Sequence, residues 1–397
     1  MKGYTAELPS GEAIHYVDRK RYLWTLSVLF PLLPFLGIWL HVTTSNEAWL
    51  LFPIVLAYVI VPLLDGVIGE DTNNPPEEVV PQLDRDRYYR ALTYLVVPLH
   101  FASLIGAAWW ASTQSLSAWA FIGLAAVAGL ISGLGINTGH ELGHKKSALE
   151  RTLAKIVLAV PAYGHFQIDH NRGHHRDVST PEDPASSRMG ESIYKFARRE
   201  IPGAFRRAWA IETDRLERRG KGRFDTDNQI LQSMALSVVL QLGLLVAFGL
   251  AMIPFLIIHN ALAWWQLTSA NYVEHYGLLR LTDENGRYER CQPHHSWNSN
   301  HLFSNLVLFH LERHSDHHAH PLRRYQSLRH FNNLPTLPSG YFGAYLLAWV
   351  PWLWYRVMDP KLLALQHING DMSRVNVDPD KREALFQRYH KPPEPSA

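Results

Sequence analysis

Along this chain, polar and apolar positions separate into blocks instead of alternating within short elements. Lys and Arg are absent from residues 22–65, 91–143 and 230–275 and occur on both sides of each block. Every block is long enough for two membrane crossings of about 20 residues. Polar or helix-breaking interruptions at 41–46, 112–115 and 249–254 divide them. The pattern predicts spanning helices at 22–40, 47–64, 91–111, 116–137, 231–250 and 252–272. Backbone polar groups find no partners in hydrocarbon unless the segment is helical. The expected fold class is therefore an all-α integral membrane protein, with six transmembrane helices paired as three tight hairpins. A soluble helical core gives no reason for six consecutive segments to lack every basic residue.

Charge then orients the layout. The three short turns carry no Lys or Arg, whereas Lys2, Arg19, Lys20 and Arg21 precede the first span and Arg85, Arg87 and Arg90 lie in the second connection. By the positive-inside rule the N-terminal segment 1–21, the stretch 144–230 and the region 273–378 face the cytoplasm, as do both termini. Helices one to four occupy 22–143, helices five and six occupy 231–272, and 379–397 reads as a polar tail or linker. The first 21 residues hold no apolar core of signal-peptide type. The Trp-rich run 341–354 is too short to cross and reads as an interfacial or packed helix, as do 151–161 and 193–209. Composition changes the picture little: 397 residues, 47% apolar and 19% charged, exclude a disordered chain. Single Cys291 excludes a disulfide framework, a four-cysteine metal domain and an iron–sulfur centre.

Histidine is what changes it. Of 22 His residues, six fall in 140–175 and eight in 294–320. They include His140-x3-His144, His170-x3-His174-His175 and His314-x2-His317-His318. Helical residues three or four apart share a face, with Cβ atoms about 5–6 Å apart, which suits two ligands on one ion. His175 sits one residue beyond the face of His170 and His174 and is expected to turn toward a neighbouring ion. Eight imidazoles exceed what one ion uses, so two metals are expected, in a helical His-rich region on the cytoplasmic side. Imidazole suits Fe, Zn, Cu or Ni, so ligand type leaves the metal open. Glu141, Asp169, Asp177 and Asp316 stand close by in sequence and are expected to accept the second ring N–H of ligand histidines. His310, one turn before His314, is expected to support the site without ligating. His140-Glu141-Leu142-Gly143-His144 also matches the zinc-protease pattern H-E-x-x-H. That reading leaves the other two groups unexplained. A metal transporter would carry its ligands within the spans, where these groups do not lie.

Longer motifs surround these histidines: NTGHELGHK from Asn137, DHNRGHHRD from Asp169, NYVEHYGL from Asn271 and LERHSDHHA from Leu311. With them the sequence resembles the membrane-bound alkane 1-monooxygenases (alkane ω-hydroxylases), relatives of the integral-membrane fatty-acid desaturases, over residues 22–359. The resemblance implies a bacterial cytoplasmic (inner) membrane, multi-pass enzyme that hydroxylates the terminal methyl of medium- to long-chain n-alkanes with O2. It adds His275 as a ninth ligand, beside His140, His144, His170, His174, His175, His314, His317 and His318, holding two iron ions. Glu274 joins the supporting residues. The implied electron donor is rubredoxin, reduced upstream by rubredoxin reductase, and no nucleic-acid partner is expected. Arg198, Arg199, Arg206, Arg207, Arg323 and Arg324 are candidates for docking an acidic donor. The substrate comes from the lipid bilayer and offers no polar handle, so selectivity rests on a shaped apolar tunnel. Ala57, a small residue in the row of large ones from Leu50 to Ile60 in span two, marks a place where that tunnel is expected to pass.

Overall fold

Prolines set the character of the first two spanning helices. In a computed structural model describing residues 2–389, α1 (Leu23–Thr44) and α2 (Glu47–Ile68) are long apolar helices. α1 is interrupted by a 3-10 turn at Phe30–Leu32, whereas α2 opens with one at Glu47–Leu51 and is interrupted by a π turn at Leu56–Ile60. The π turn lies just ahead of Pro62, which has no N–H to continue the regular ladder. Further on, α3 (Arg87–Thr113), α4 (Ala118–Gly143) and α7 (Gln229–Phe248) are uninterrupted by such turns, and α5 (Ala148–Ala159) and α6 (Ile193–Glu217) come between the last two. These five long helices, α1 to α4 and α7, are long and apolar enough to cross a bilayer. The sixth expected span, α8 (Met252–His275), has 24 residues. It is long enough, but it carries His259, Gln266, Asn271 and Glu274 on buried positions. The chain is a largely helical membrane protein. Leu63, Val239, Val246, Leu250 and Ile257 expose 64%, 71%, 86%, 77% and 64% of their surface, a belt that water would not tolerate and lipid does.

The N-terminal segment corrects the all-α expectation. Gly3–Glu7 (β1) and Ala13–Val17 (β2) form an antiparallel hairpin with Tyr4 opposite Tyr16. It is tied down at Asp86, the residue capping α3, which accepts hydrogen bonds from Tyr4 Oη at 2.6 Å, Arg21 Nη1 at 2.7 Å and Lys2 Nζ at 2.9 Å. At the other end, part of the expected linker is structured: Arg382–Tyr389 is helical, with Leu385 buried and Tyr389 donating to Asp359 at 3.1 Å. Residues 390–397, the end of the expected polar tail or linker, lie outside the described residues.

At the centre, α4 and α8 pack along each other through small residues. A Cβ at Gly129 would stand 2.6 Å from the His259 carbonyl oxygen, and one at Gly133 2.6 Å from Gln266 Cβ. Glycine at both positions lets the two backbones approach closely. Their polar ends converge with the His-bearing segments. These are the turn Phe166–Asp177 between α5 and α6, and α9 (His314–Ala319). The expected helix at 341–354 is two helices, α10 (Tyr341–Ala348) and α11 (Pro351–Leu363), which pack beneath them in the main apolar core.

Candidate metal centre

Each histidine segment delivers its rings by a different local device. His140 lies on the last turn of α4 and His144 caps it; His275 ends α8. His314, His317 and His318 share the short α9. Residues His170–His174 form a π turn. The turn includes Gly173, where a Cβ would stand 2.5 Å from Arg207 Nε. A π turn brings residues five apart onto one side.

The nine rings gather into two groups: His140, His144, His170, His175 and His317, and His174, His275, His314 and His318, the nitrogens of each lying within 4.8 Å of one another. This partition corrects the helical expectation. His170 faces His175 (Nε2 to Nε2, 3.1 Å), while His174 points into the other group. The pair His314–His318 holds together at 2.9 Å, and His317 crosses to the first group, 2.8 Å from His140 and 3.1 Å from His175.

The chemistry of these contacts fits metal ions. His174 donates its Nδ1 proton to Asp183 Oδ2 at 2.9 Å, and His275 gives Nδ1 to the His295 carbonyl at 3.4 Å. Their Nε2 atoms are therefore bare lone pairs aimed inward, His275 Nε2 standing 3.3 Å from His314 Nε2. His144 and His174 have Nε2 atoms buried without any partner. Two nitrogens bound about 2.0–2.1 Å from one ion stand about 3.0–3.4 Å apart, close to the spacings seen. Burial, and then the neighbouring rings, hold His170, His175, His314, His317 and His318 well below the ordinary imidazole pKa, keeping them neutral as ligands must be.

The carboxylates mostly do something else. Glu141 pairs with Lys145 at 3.0 Å, Asp169 clamps Arg207 at 2.6 and 2.9 Å, and Asp177 binds Arg176 at 2.7 Å. Asp316 accepts from His320 at 2.9 Å and Arg323 at 3.0 Å. None of these four reaches one of the nine rings. His310 packs edge-on against Trp24 and donates to the Tyr325 carbonyl at 3.0 Å, away from both groups. Glu274 does approach, its Oε2 lying 3.4 Å from His314 Nε2. The carboxylate that orients a ring is Asp183, which the sequence reading missed. Fully buried, it also accepts from Ser186 Oγ at 2.6 Å and Arg207 Nη1 at 2.7 Å; burial pushes its carboxyl up, but His174 first, then Arg207 and the Ser186 hydroxyl, outweigh that and hold it well below the usual range. It sits nine residues after His174, at no spacing that marks a partner.

Both groups open onto one apolar cavity between α4 and α8, where His140, His170 and His314 meet Leu134, Ile136, Leu267, Leu308, Leu311 and Phe342. Ala57 is not on its wall. It is 1% exposed, in the same packed core as the cavity residue Phe342. Four of the six arginines expected to dock a donor are engaged: Arg199 with Glu191, Arg207 with Asp169 and Asp183, Arg323 with Asp316 and Glu77, Arg324 with Glu150.

The fatty acid desaturase family profile matches residues 117–345. An alkane 1-monooxygenase of Pseudomonas putida is 57% identical over 393 residues, covering 98% of this chain and 96% of the relative. One of Ectopseudomonas oleovorans is 58% identical over 379 residues, covering 95% and 94%. A xylene/toluene monooxygenase hydroxylase component of Pseudomonas putida is 30% identical over 232 residues, 56% of this chain and 59% of that one. By these likenesses and the paired imidazole groups, the chain belongs to the fatty acid desaturase family and, within it, to the alkane 1-monooxygenases.

Proposed function

We propose that this chain is a diiron enzyme that hydroxylates the terminal methyl of n-alkanes: RH + O2 + 2 e− + 2 H+ gives ROH + H2O. One iron is assigned to His140, His144, His170, His175 and His317, the other to His174, His275, His314 and His318. Iron bound there supplies the activation of O2. What carries the assignment is that both imidazole groups open onto a single apolar cavity.

The chain's own residues do the positioning. An alkane gives no hydrogen bond or charge to hold, so the side chains of Leu134, Leu267, Leu308 and Phe342 retain it by burying methylenes, each worth about 0.8 kcal/mol. The same walls exclude water from the reacting end. Asp183, through His174, fixes the ring orientation on one side, and the His295 carbonyl fixes His275. Glu141 is held by Lys145 and so is not placed as the general base of a zinc protease.

Six spans arranged as hairpins, with both termini and the His-bearing segments cytoplasmic, is the topology we assign from the charge asymmetry, and a bacterial inner membrane is the location we assign from the likeness to bacterial alkane 1-monooxygenases. Rubredoxin, with its reductase, is the electron donor we assign. One Cys and the lack of a dinucleotide fingerprint leave the chain without a redox relay of its own. The test is metal analysis of purified protein with a product assay on medium-chain alkanes. Two irons per chain and a 1-alkanol formed only with rubredoxin and its reductase are expected. One zinc with peptide cleavage, or turnover from NADH with no carrier added, overturns the assignment.

A further inference from the structure

A second cavity, of about 450 Å³, lies between α6, α7 and α8 on the far side of Tyr163 and Trp264 from the metal cavity. Its inner wall carries two buried polar atoms without partners, Tyr163 Oη and His165 Nε2. Those residues are 2% and 8% exposed. Its mouth carries Arg206. On the same helix Arg199, Arg207 and Arg215 are each paired with a carboxylate, whereas Arg206 is exposed and forms no ion pair among the described residues. From Val238 and Gln241 the cavity continues into a shallow groove along the α7–α8 seam, past Leu242, Leu245 and Ile257. The only amides there, Gln241 and Asn260, satisfy each other at 3.1 and 3.3 Å.

The dimensions are those of one lipid leaflet. From Met234 at the mouth to Leu245 in the groove is eleven residues of helix, about 16 Å at 1.5 Å per residue. Half of a hydrocarbon core about 30 Å thick is about 15 Å. Met234 lies near the start of α7, the same end at which the polar His-bearing segments gather, so Arg206 stands at headgroup depth.

We propose that this groove is a binding site for an anionic phospholipid. Its phosphate pairs with Arg206, His165 and Tyr163 donate to the oxygens beside it, and one acyl chain lies along the α7–α8 seam. The charge argues for an anionic head: a zwitterionic lipid brings its own cation and leaves Arg206 no advantage. The open apolar run, with Val238 51% exposed, argues for a lipid that enters sideways from the bilayer.

The experiment is native mass spectrometry of the full chain in detergent, with dipalmitoyl phosphatidylglycerol, dipalmitoyl phosphatidylcholine or palmitate added. Phosphatidylglycerol is expected to be retained about fivefold over phosphatidylcholine, the attraction of about one basic residue for an anionic lipid. Arg206→Gln should erase that preference, Val238→Trp should cut retention of both lipids by filling the groove, and Arg198→Gln should change nothing. Arg206 and Val238 are both exposed, so neither substitution burdens the core. Equal retention of the two phospholipids, a preference surviving in Arg206→Gln, or an equal loss in Arg198→Gln overturns the proposal. Retention of palmitate in place of phosphatidylglycerol overturns it in favour of a free fatty acid.

Discussion

Replacing Asp183 by Asn should strip one metal ion while leaving the other in place. Oδ2 of Asp183 accepts from His174 Nδ1 at 2.9 Å and Ser186 Oγ at 2.6 Å; Oδ1 accepts from Arg207 Nη1 at 2.7 Å and Ala185 N at 3.2 Å. Asparagine keeps the shape but turns one oxygen into NH2. In either amide orientation that NH2 faces two donors. With the NH2 at the Oδ2 position the His174 ring must rotate or change tautomer, and its Nε2 no longer aims a lone pair at His275, His314 and His318; with it at the Oδ1 position it opposes Arg207 and Ala185 N, and His174 keeps only a neutral, weaker acceptor that holds the ring less firmly. Loss of such a supporting contact typically costs about 10–100-fold in metal affinity, or about 1.4–2.8 kcal/mol. Stability should fall by about 1–3 kcal/mol as charged hydrogen bonds are lost. The larger cost of a stranded buried charge is avoided, because Arg207 keeps both oxygens of Asp169 at 2.6 and 2.9 Å. Asp169→Asn is the matched control, loosening Arg207 without touching a ring. Metal content at limiting Fe(II), with thermal unfolding alongside, reads both variants. If Asp183→Asn keeps its full metal complement, or Asp169→Asn loses as much, the orienting role is wrong.

The ligand partition makes a sharper claim: His140→Ala and His317→Ala should both lose metal from the first group and His174→Ala from the second, all three losing hydroxylation while still inserting in the membrane. His41→Ala should behave as wild type, and near-normal activity in any of the three would sink the assignment. Ala57→Trp adds a large ring to a packed core beside the cavity wall, where overpacking costs about 1–3 kcal/mol. The product distribution from mixed alkanes should move to shorter chains at unchanged iron, and an unchanged profile with lower stability would leave Ala57 a packing residue only. Turnover with rubredoxin and its reductase should slow as salt rises from 0.05 to about 0.5 M if exposed charges steer the donor, since screening shortens to less than about 8 Å; a flat salt profile in stopped-flow reduction would remove the steering.

The sequence by itself determined the membrane-embedded, helical character of the chain and the identity of its nine clustered imidazoles. Segregation of basic residues from apolar segments is a local property, and it survives folding because hydrocarbon admits little else. The four motifs, read through their family resemblance, contained all nine rings that meet in space. Tertiary structure alone decided how those rings divide. Ideal helical spacing pairs His170 with His174; the π turn, where Gly173 lets Arg207 come close, pairs His170 with His175 instead. It also decided what the acids do. Asp169 and Asp177 stand within two residues of ring-bearing positions, yet both turn to arginines. Asp183, farther along a loop, is the one that reaches His174. The N-terminal β-hairpin likewise owes its place to Asp86, far away in sequence, and the cavity wall joins residues from α4, α8, α10 and the 308–311 loop. Such choices follow from which charges and surfaces long-range packing brings within reach, and neither periodicity nor spacing along the chain encodes that.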